Sequence, residues 1–227
     1  MCDELNVDYW ETSYKRNILQ RLWHDMRFKP LRRILGRLPN GSNILDVGCG
    51  SGFTIGKCIP GNKRFNVYGV ETTKKQIAHS KKLKPDYDFK VGYGEKLPYE
   101  SKKFDAVTYL DVIEHVTDPM ESMYEVRRVL KDDGFVVIEV VKEHHPLFKI
   151  IWLVWTRRKG KVWHGTHLYV FDEKSVGEML EKSGFKITSM EQIQLGMGLI
   201  AAAYKDKNWS GKRVKTSQLK HLHPHDH

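Results

Sequence analysis

The sequence predicts one α/β domain built on a mostly parallel seven-stranded sheet with helices on both faces. Three observations predict it. Short β-rich runs alternate with amphipathic helical stretches, a glycine-rich turn directly follows the first of those runs, and an apolar share of 40% over 227 residues is enough to bury one core.

Residues 9 to 38 carry Trp10, Ile18, Leu19, Leu22, Trp23, Met26, Leu31, Ile34 and Leu35 at mostly three- and four-residue spacings. That period reads as preliminary amphipathic helices, interrupted at Pro30. Trp10 and Tyr14 suit either core packing or a lid over a ligand. From Asn43 the texture changes to strand-like runs, namely ILDV, FNVYGVE, DFKVG, FDAVTYL and GFVVIEVV. Between them TTKKQIAHSKKL and DPMESMYEVRRVL have the length and pattern of crossover helices, the second opened by Asp118 as cap and Pro119 in the first turn. Residues 142 to 170 are irregular; DEKSVGEMLEKSG then reads as a helix, and Phe185 to Met190 and Leu195 to Tyr204 as two final strands. The domain is expected to span 1–204, with 1–40 as N-terminal helices and 142–170 as an insertion. Residues 205–227 are basic, His-rich and almost free of apolar residues, so they read as a solvated tail. Its His221, His223, His225 and His227 alternate in a way that also suits metal binding.

A net charge of +10 makes the surface attractive to anions without choosing among nucleic acid, anionic lipid and an acidic substrate. Cys2, Cys49 and Cys58 have neither disulfide-framework nor zinc-ribbon spacing, and a reducing cytoplasm is the expected compartment. The first residues lack a secretory pattern, and no run reaches the ~18 apolar residues of a membrane span, so the expectation is a soluble or peripheral protein.

The strongest motif is Ile44-Leu45-Asp46-Val47-Gly48-Cys49-Gly50-Ser51-Gly52, an apolar strand running into glycines that let backbone approach a ligand closely. Phe53 stands where a dinucleotide-binding turn needs a third glycine, and the Lys-Ser/Thr ending of a triphosphate loop is missing. Glu71 ends the second strand, where a carboxylate can accept hydrogen bonds from both ribose hydroxyls of a nucleoside. A simple turn or capping role is the alternative for Glu71 taken alone.

With these come LPYESKKFDAV and LKDDGFVVIEV, and the succession over about residues 40 to 200 resembles class I S-adenosylmethionine (SAM)-dependent methyltransferases. The resemblance implies a Rossmann-like sheet with its last strand antiparallel and SAM as cofactor. It implies that the backbone of Gly48, Cys49 and Gly50 meets the methionine portion, with Asp46 organising the turn. Glu71 would hold the ribose, Thr72 would lie beside the adenine, the loop of Gly94 and Glu95 would edge it, and Leu110 would lie under the methionine moiety. Tyr93 stands where the family commonly has aspartate, which puts the usual carboxylate contact to the adenine in question.

Methyl transfer is an in-line displacement that needs aligned partners and, for many acceptors, a base. Candidate bases follow the fourth and fifth strands: Asp111, Glu114 and His115, then Glu143, His144 and His145, and further on His164 and His167. Asp111 and Glu114, at i and i+3, could share a helix face and ligate a divalent metal. The segment resembles the acid-x-x-Glu-His of quinone-biosynthesis O-methyltransferases, although Glu-His-Val also occurs in metal-free relatives. His115 then reads as general base or acceptor contact. His164 and His167 suit orienting a hydroxyl or its oxyanion, or being loop residues. Leu147 to Trp155 is apolar apart from Lys149 and is followed by Arg157, Arg158, Lys159 and Lys161. That pattern suits an anionic membrane surface contacted through 147–161, or a helix packed on the domain, and either way a wall of the acceptor pocket. The leading expectation is a methyltransferase for a small aromatic or amphipathic hydroxyl, quinol- or lipid-like. An RNA or protein methyltransferase is the alternative, although nucleic acid is not the expected partner because the fourth strand ends Tyr-Leu-Asp and not in an Asn/Asp-Pro-Pro-aromatic signature. A non-catalytic SAM-binding protein is the third reading.

Overall fold

The computed structural model describes residues 9–149 and 167–225. The chain opens with α1 (Tyr9–Arg16) and α2 (Ile18–Leu35), then enters β1 (Asn43–Val47), α3 (Phe53–Cys58), β2 (Asn66–Glu71), α4 (Lys74–Leu83), β3 (Asp88–Val91) and β4 (Phe104–Leu110). It continues through α5 (Pro119–Val129), β5 (Leu130–Val141), β6 (Tyr169–Val170), α6 (Glu173–Lys182), β7 (Phe185–Ile193), β8 (Gly198–Lys205) and β9 (His223–Pro224). Seven strands form one sheet in the order β3-β2-β1-β4-β5-β8-β7, as the strand pattern predicts. Only β8 opposes the rest, pairing antiparallel with both β5 and β7.

Side-chain alternation along the central strands decides the two cores. Leu45 and Val47 face α5 and α6, packing with Met123, Val126, Met179 and Leu180. Ile44 points the other way, to Phe28, Leu31 and Leu35 of α2 and Ile55 of α3. Helices therefore cover both faces, and the chain reverses its direction of strand addition between β1 and β4. Such a reversal opens a crevice at the carboxyl ends of the strands.

The helix break falls at Asn17 and not at Pro30. The Asn17 side chain accepts from the Leu19 amide at 3.0 Å and caps α2, which then runs unbroken through Pro30. Proline removes one backbone bond, but Phe28, Leu31, Ile34 and Leu35 are all buried around it and hold the turn. Asp118 caps α5 as expected, accepting from the Glu121 amide at 3.0 Å. Tyr14 is a packing aromatic, its ring 5.2 Å from Phe53 in an edge contact.

The reading of residues 205–227 as a solvated tail is corrected for 205–225, which lie across α5 and α6 as a strap. Trp209 stacks on Tyr124 with centroids 6.0 Å apart, and the Arg127 guanidinium lies 4.6 Å from the Trp209 ring. Tyr124 Oη exchanges hydrogen bonds with Val214, and the Glu178 carboxylate accepts from the backbone amides of Lys220 and His221. Leu219 and Leu222 are buried, and β9 pairs with β6. Composition hid this. A few apolar side chains, widely spaced along an extended segment, anchor it into grooves that exist only once α5 and α6 have docked.

Candidate active site

Two groups of residues meet at the carboxyl edge of the sheet. The first is the turn after β1, tied to β2 by bonds from the Gly48 and Cys49 amides to the Val70 carbonyl at 2.8 and 3.1 Å. Gly48, Gly50 and Gly52 have φ of 68°, 50° and 72°, the left-handed region that glycine adopts without strain. A Cβ on Gly48 would lie 2.5 Å from Val112 Cγ2, whereas one on Gly50 would meet nothing within 4 Å and would project into open space. Glu71 faces the turn: its carboxylate accepts from the Gly50 amide at 3.3 Å, the Thr72 amide at 2.6 Å and the Thr72 hydroxyl at 3.0 Å. Open backbone and an acid at its rim fit an adenosyl group bearing a cationic sulfonium.

Asp46 supports this end from below. It is 2% exposed and accepts from Thr108 Oγ1 at 2.6 Å, while burial pushes its carboxyl up to about 7. Cys49 is buried with its thiol pushed up by burial, and Leu110 closes the end of β4. Gly94 is hemmed in by Ser122 and the Tyr109 hydroxyl, which are hydrogen-bonded to each other at 2.5 Å. Glu95 Oε1 accepts from the amides of Thr117 and Asp118 at 3.0 and 3.2 Å, so its carboxylate joins two loops.

The second group is built from side chains far apart in sequence. Asp111, directly after β4, has φ of 56° and forms an ion pair with Arg27 of α2. Arg27 is 3% exposed, and its Nε lies 3.1 Å from the Glu139 carboxylate on β5, which is itself buried. Neither Arg27 nor Glu139 is singled out by sequence reasoning, and the available signal is slight: an arginine on a largely apolar helix face and an acid inside an apolar strand.

Next to Asp111, a 3-10 turn over Ile113–His115 buries Glu114, whose carboxyl burial pushes up to about 8 with Asp111 adding to the effect. Its Oε2 has no hydrogen-bond partner among the described residues. The His115 and His167 rings are 4.6 Å apart, edge to face. His167 Nδ1 bonds to Glu143 Oε1, and His225 Nε2 donates to Glu143 Oε2 at 2.8 Å. Burial opposes the charge on His167, but the bonded Glu143, together with Glu114 and Asp111, outweighs it and sets its pKa above the ordinary histidine value. Burial likewise raises Glu143, yet bonds and charge from His167 and His225 bring it below the usual carboxylate range.

Sequence spacing pairs Asp111 with Glu114 for a metal, and the fold arranges them otherwise. Asp111 Oδ2 pairs with Arg27 while its Oδ1 has no hydrogen-bond partner among the described residues, and Glu114, His115 and His167 each offer one donor atom within 4.8 Å of the others. A 3-10 turn replaces the α-helix that the i, i+3 argument assumes. Of the 147–161 segment, Leu147 and Lys149 are exposed and Phe148 is buried; residues 150–161, and His164, lie outside the described residues. Val112 joins the two groups, packing on Gly48 while preceding the turn that carries Glu114 and His115.

Comparison with known proteins identifies the family of the chain. Residues 17–190 match the family described as "Methyltransferase domain". A demethylmenaquinone methyltransferase of Lactobacillus johnsonii is 27% identical over 209 residues, covering 83% of this chain and 84% of that protein. A ubiquinone biosynthesis O-methyltransferase of Paracidovorax citrulli is 28% identical over 180 residues, covering 72% and 75%. Among solved structures, a SAM-dependent methyltransferase from Aquifex aeolicus superposes with a TM-score of 0.65 at 17% identity, over 88% of this chain and 98% of that one. The [4+2]-cyclase SpnF superposes at 0.64 and 17% identity, over 79% and 80%, so the shared fold alone does not dictate the reaction.

Proposed function

Because the chain belongs to the methyltransferase-domain family and is a SAM-dependent methyltransferase, we propose that it methylates a hydroxyl of a small aromatic, quinol-like acceptor. The observation that carries the proposal is the convergence of Glu114, His115, Glu143 and His167 beside the glycine turn. One relative named a demethylmenaquinone methyltransferase and one named a ubiquinone biosynthesis O-methyltransferase support the acceptor class.

SAM supplies an electrophilic methyl group on a positively charged sulfur. In this reading Glu71 accepts from the ribose hydroxyls, with Thr72 and the 94–95 loop along the adenine. The backbone of Gly48, Cys49 and Gly50 lies along the methionine portion, Asp46 holds the turn from below and Leu110 forms the floor. Glu143 fixes His167 with its Nδ1 proton facing the carboxylate, which leaves Nε2 to take the proton that the attacking acceptor oxygen loses. His115 orients that oxygen, and Glu114, buried beside His167, offers the acceptor a hydrogen-bonding carboxyl. No helix among the described residues is long and apolar enough to cross a membrane. The apolar and basic run at 147–161 would meet an amphipathic acceptor at an anionic bilayer surface.

The test is incubation with methyl-labelled SAM and a panel of catechols and hydroquinones carrying short prenyl chains, with products identified by mass spectrometry. A labelled methyl ether is the expected product. Labelling of bulk RNA or protein in place of every phenol would overturn the proposal.

A further inference from the structure

We propose that residues 206–225 are a working part of the active site, with His225 a positioning residue that holds the Glu143 carboxylate against His167. The strap is fastened well before it reaches the site, by Trp209 on Tyr124, by Thr216 hydrogen-bonded to Asp118, and by buried Leu219 and Leu222. Its last two backbone registrations bring it to the crevice: β9 pairs with β6, and the His225 amide donates to the Leu168 carbonyl at 2.9 Å. Leu168 in turn donates to the Glu114 carbonyl at 2.8 Å, so strap, His167 loop and the Glu114 turn form one hydrogen-bonded ladder.

At its end His225 Nε2 donates to Glu143 Oε2, while Glu143 Oε1 takes His167 Nδ1. A glutamate side chain with one partner can still swing about its torsions. With both oxygens bound its carboxylate plane is fixed, and that fixes the tautomer and tilt of His167, whose other face meets His115. Anchoring and positioning are therefore separable: the apolar and backbone contacts hold the strap, and the His225 ring holds Glu143. The catalytic consequence rests on the proposed transfer to a hydroxyl acceptor; the positioning itself does not.

The experiment uses the full chain and two variants, His225→Ala and His225→Gln, the second retaining a donor of comparable reach. In histidine-15N-labelled protein, the His167 Nδ1 proton should resonate far downfield in the parent, move upfield or broaden in His225→Ala, and return in His225→Gln. With an acceptor from the phenol panel, His225→Ala should lower kcat on the order of 10- to 100-fold. The dissociation constant for SAM, read by calorimetry, should stay within about twofold. Unchanged His167 ring signals in His225→Ala overturn the proposal, as does a loss that His225→Gln fails to restore. A ring signature that responds while no phenol is methylated supports the positioning role and rejects the acceptor class.

Discussion

The two ends of the crevice are built by different means. At the end proposed for the cofactor, residues 46 to 52 and Glu71 act mostly through backbone, and most contacts join neighbours in the chain or adjacent strands, with Ser80 of α4 donating to the Gly50 carbonyl at 2.6 Å. At the end proposed for the acceptor, side chains from α2, the β4 end, β5, the 167 loop and the strap meet across 84 residues for Arg27–Asp111 and 82 for Glu143–His225. A backbone cradle depends on one local conformation, so it tolerates change elsewhere in the domain. A side-chain network depends on every helix that delivers a member, so distant packing can retune it.

The largest expected effect attacks that network at its buried charge. Arg27→Met would leave the Asp111 and Glu139 carboxylates without their cation and should destabilise the fold by about 3–5 kcal/mol in denaturant unfolding. Adding Asp111→Asn and Glu139→Gln to the same chain should recover much of the loss. A loss under about 1 kcal/mol for Arg27→Met alone would mean that α2 is not a structural member of the acceptor end.

The cofactor end should respond in affinity and not in stability. Glu71→Ala removes the acceptor proposed for two ribose hydroxyls and should weaken SAM binding by roughly 2–3 kcal/mol, about 30- to 150-fold, in calorimetry. Its melting temperature should stay close to that of the parent; a large fall in Tm without a change in affinity would return Glu71 to the role of a turn residue.

A smaller effect is expected from pH. The Asp46 carboxyl sits at about 7 in the fold, against an unfolded value near the ordinary 3.8, so the native chain holds the proton more tightly. Its stabilising contribution is therefore complete below pH 4 and is lost as pH rises through 7, with a slope of at most ~1.4 kcal/mol per pH unit for this one group. Asp46→Asn should flatten that part of the stability profile. A cationic sulfonium favours the ionised carboxylate, so SAM binding should release protons and tighten as pH rises toward 8, which calorimetry in buffers of different ionisation enthalpy measures.

Smallest of all, Thr72→Ala removes one hydroxyl from the Glu71 carboxylate and should weaken SAM binding by about 0.5–1 kcal/mol. If this exceeded the effect of Glu71→Ala, the cofactor end would depend on side chains as much as the acceptor end does.

The sequence by itself determined the sheet, the glycine turn, the acid at the end of β2 and the cap of α5. The residues concerned are neighbours along the chain, and period, spacing and φ preference act over a few residues. Tertiary structure alone decided that Pro30 stays inside α2, that Asp111 pairs with Arg27 of α2 across 84 residues, and that the basic C-terminal segment brings His225 to Glu143. In each of these cases the deciding partner lies on a segment distant in sequence. Desolvating a charge or docking a strap becomes favourable only after that partner has been packed into place.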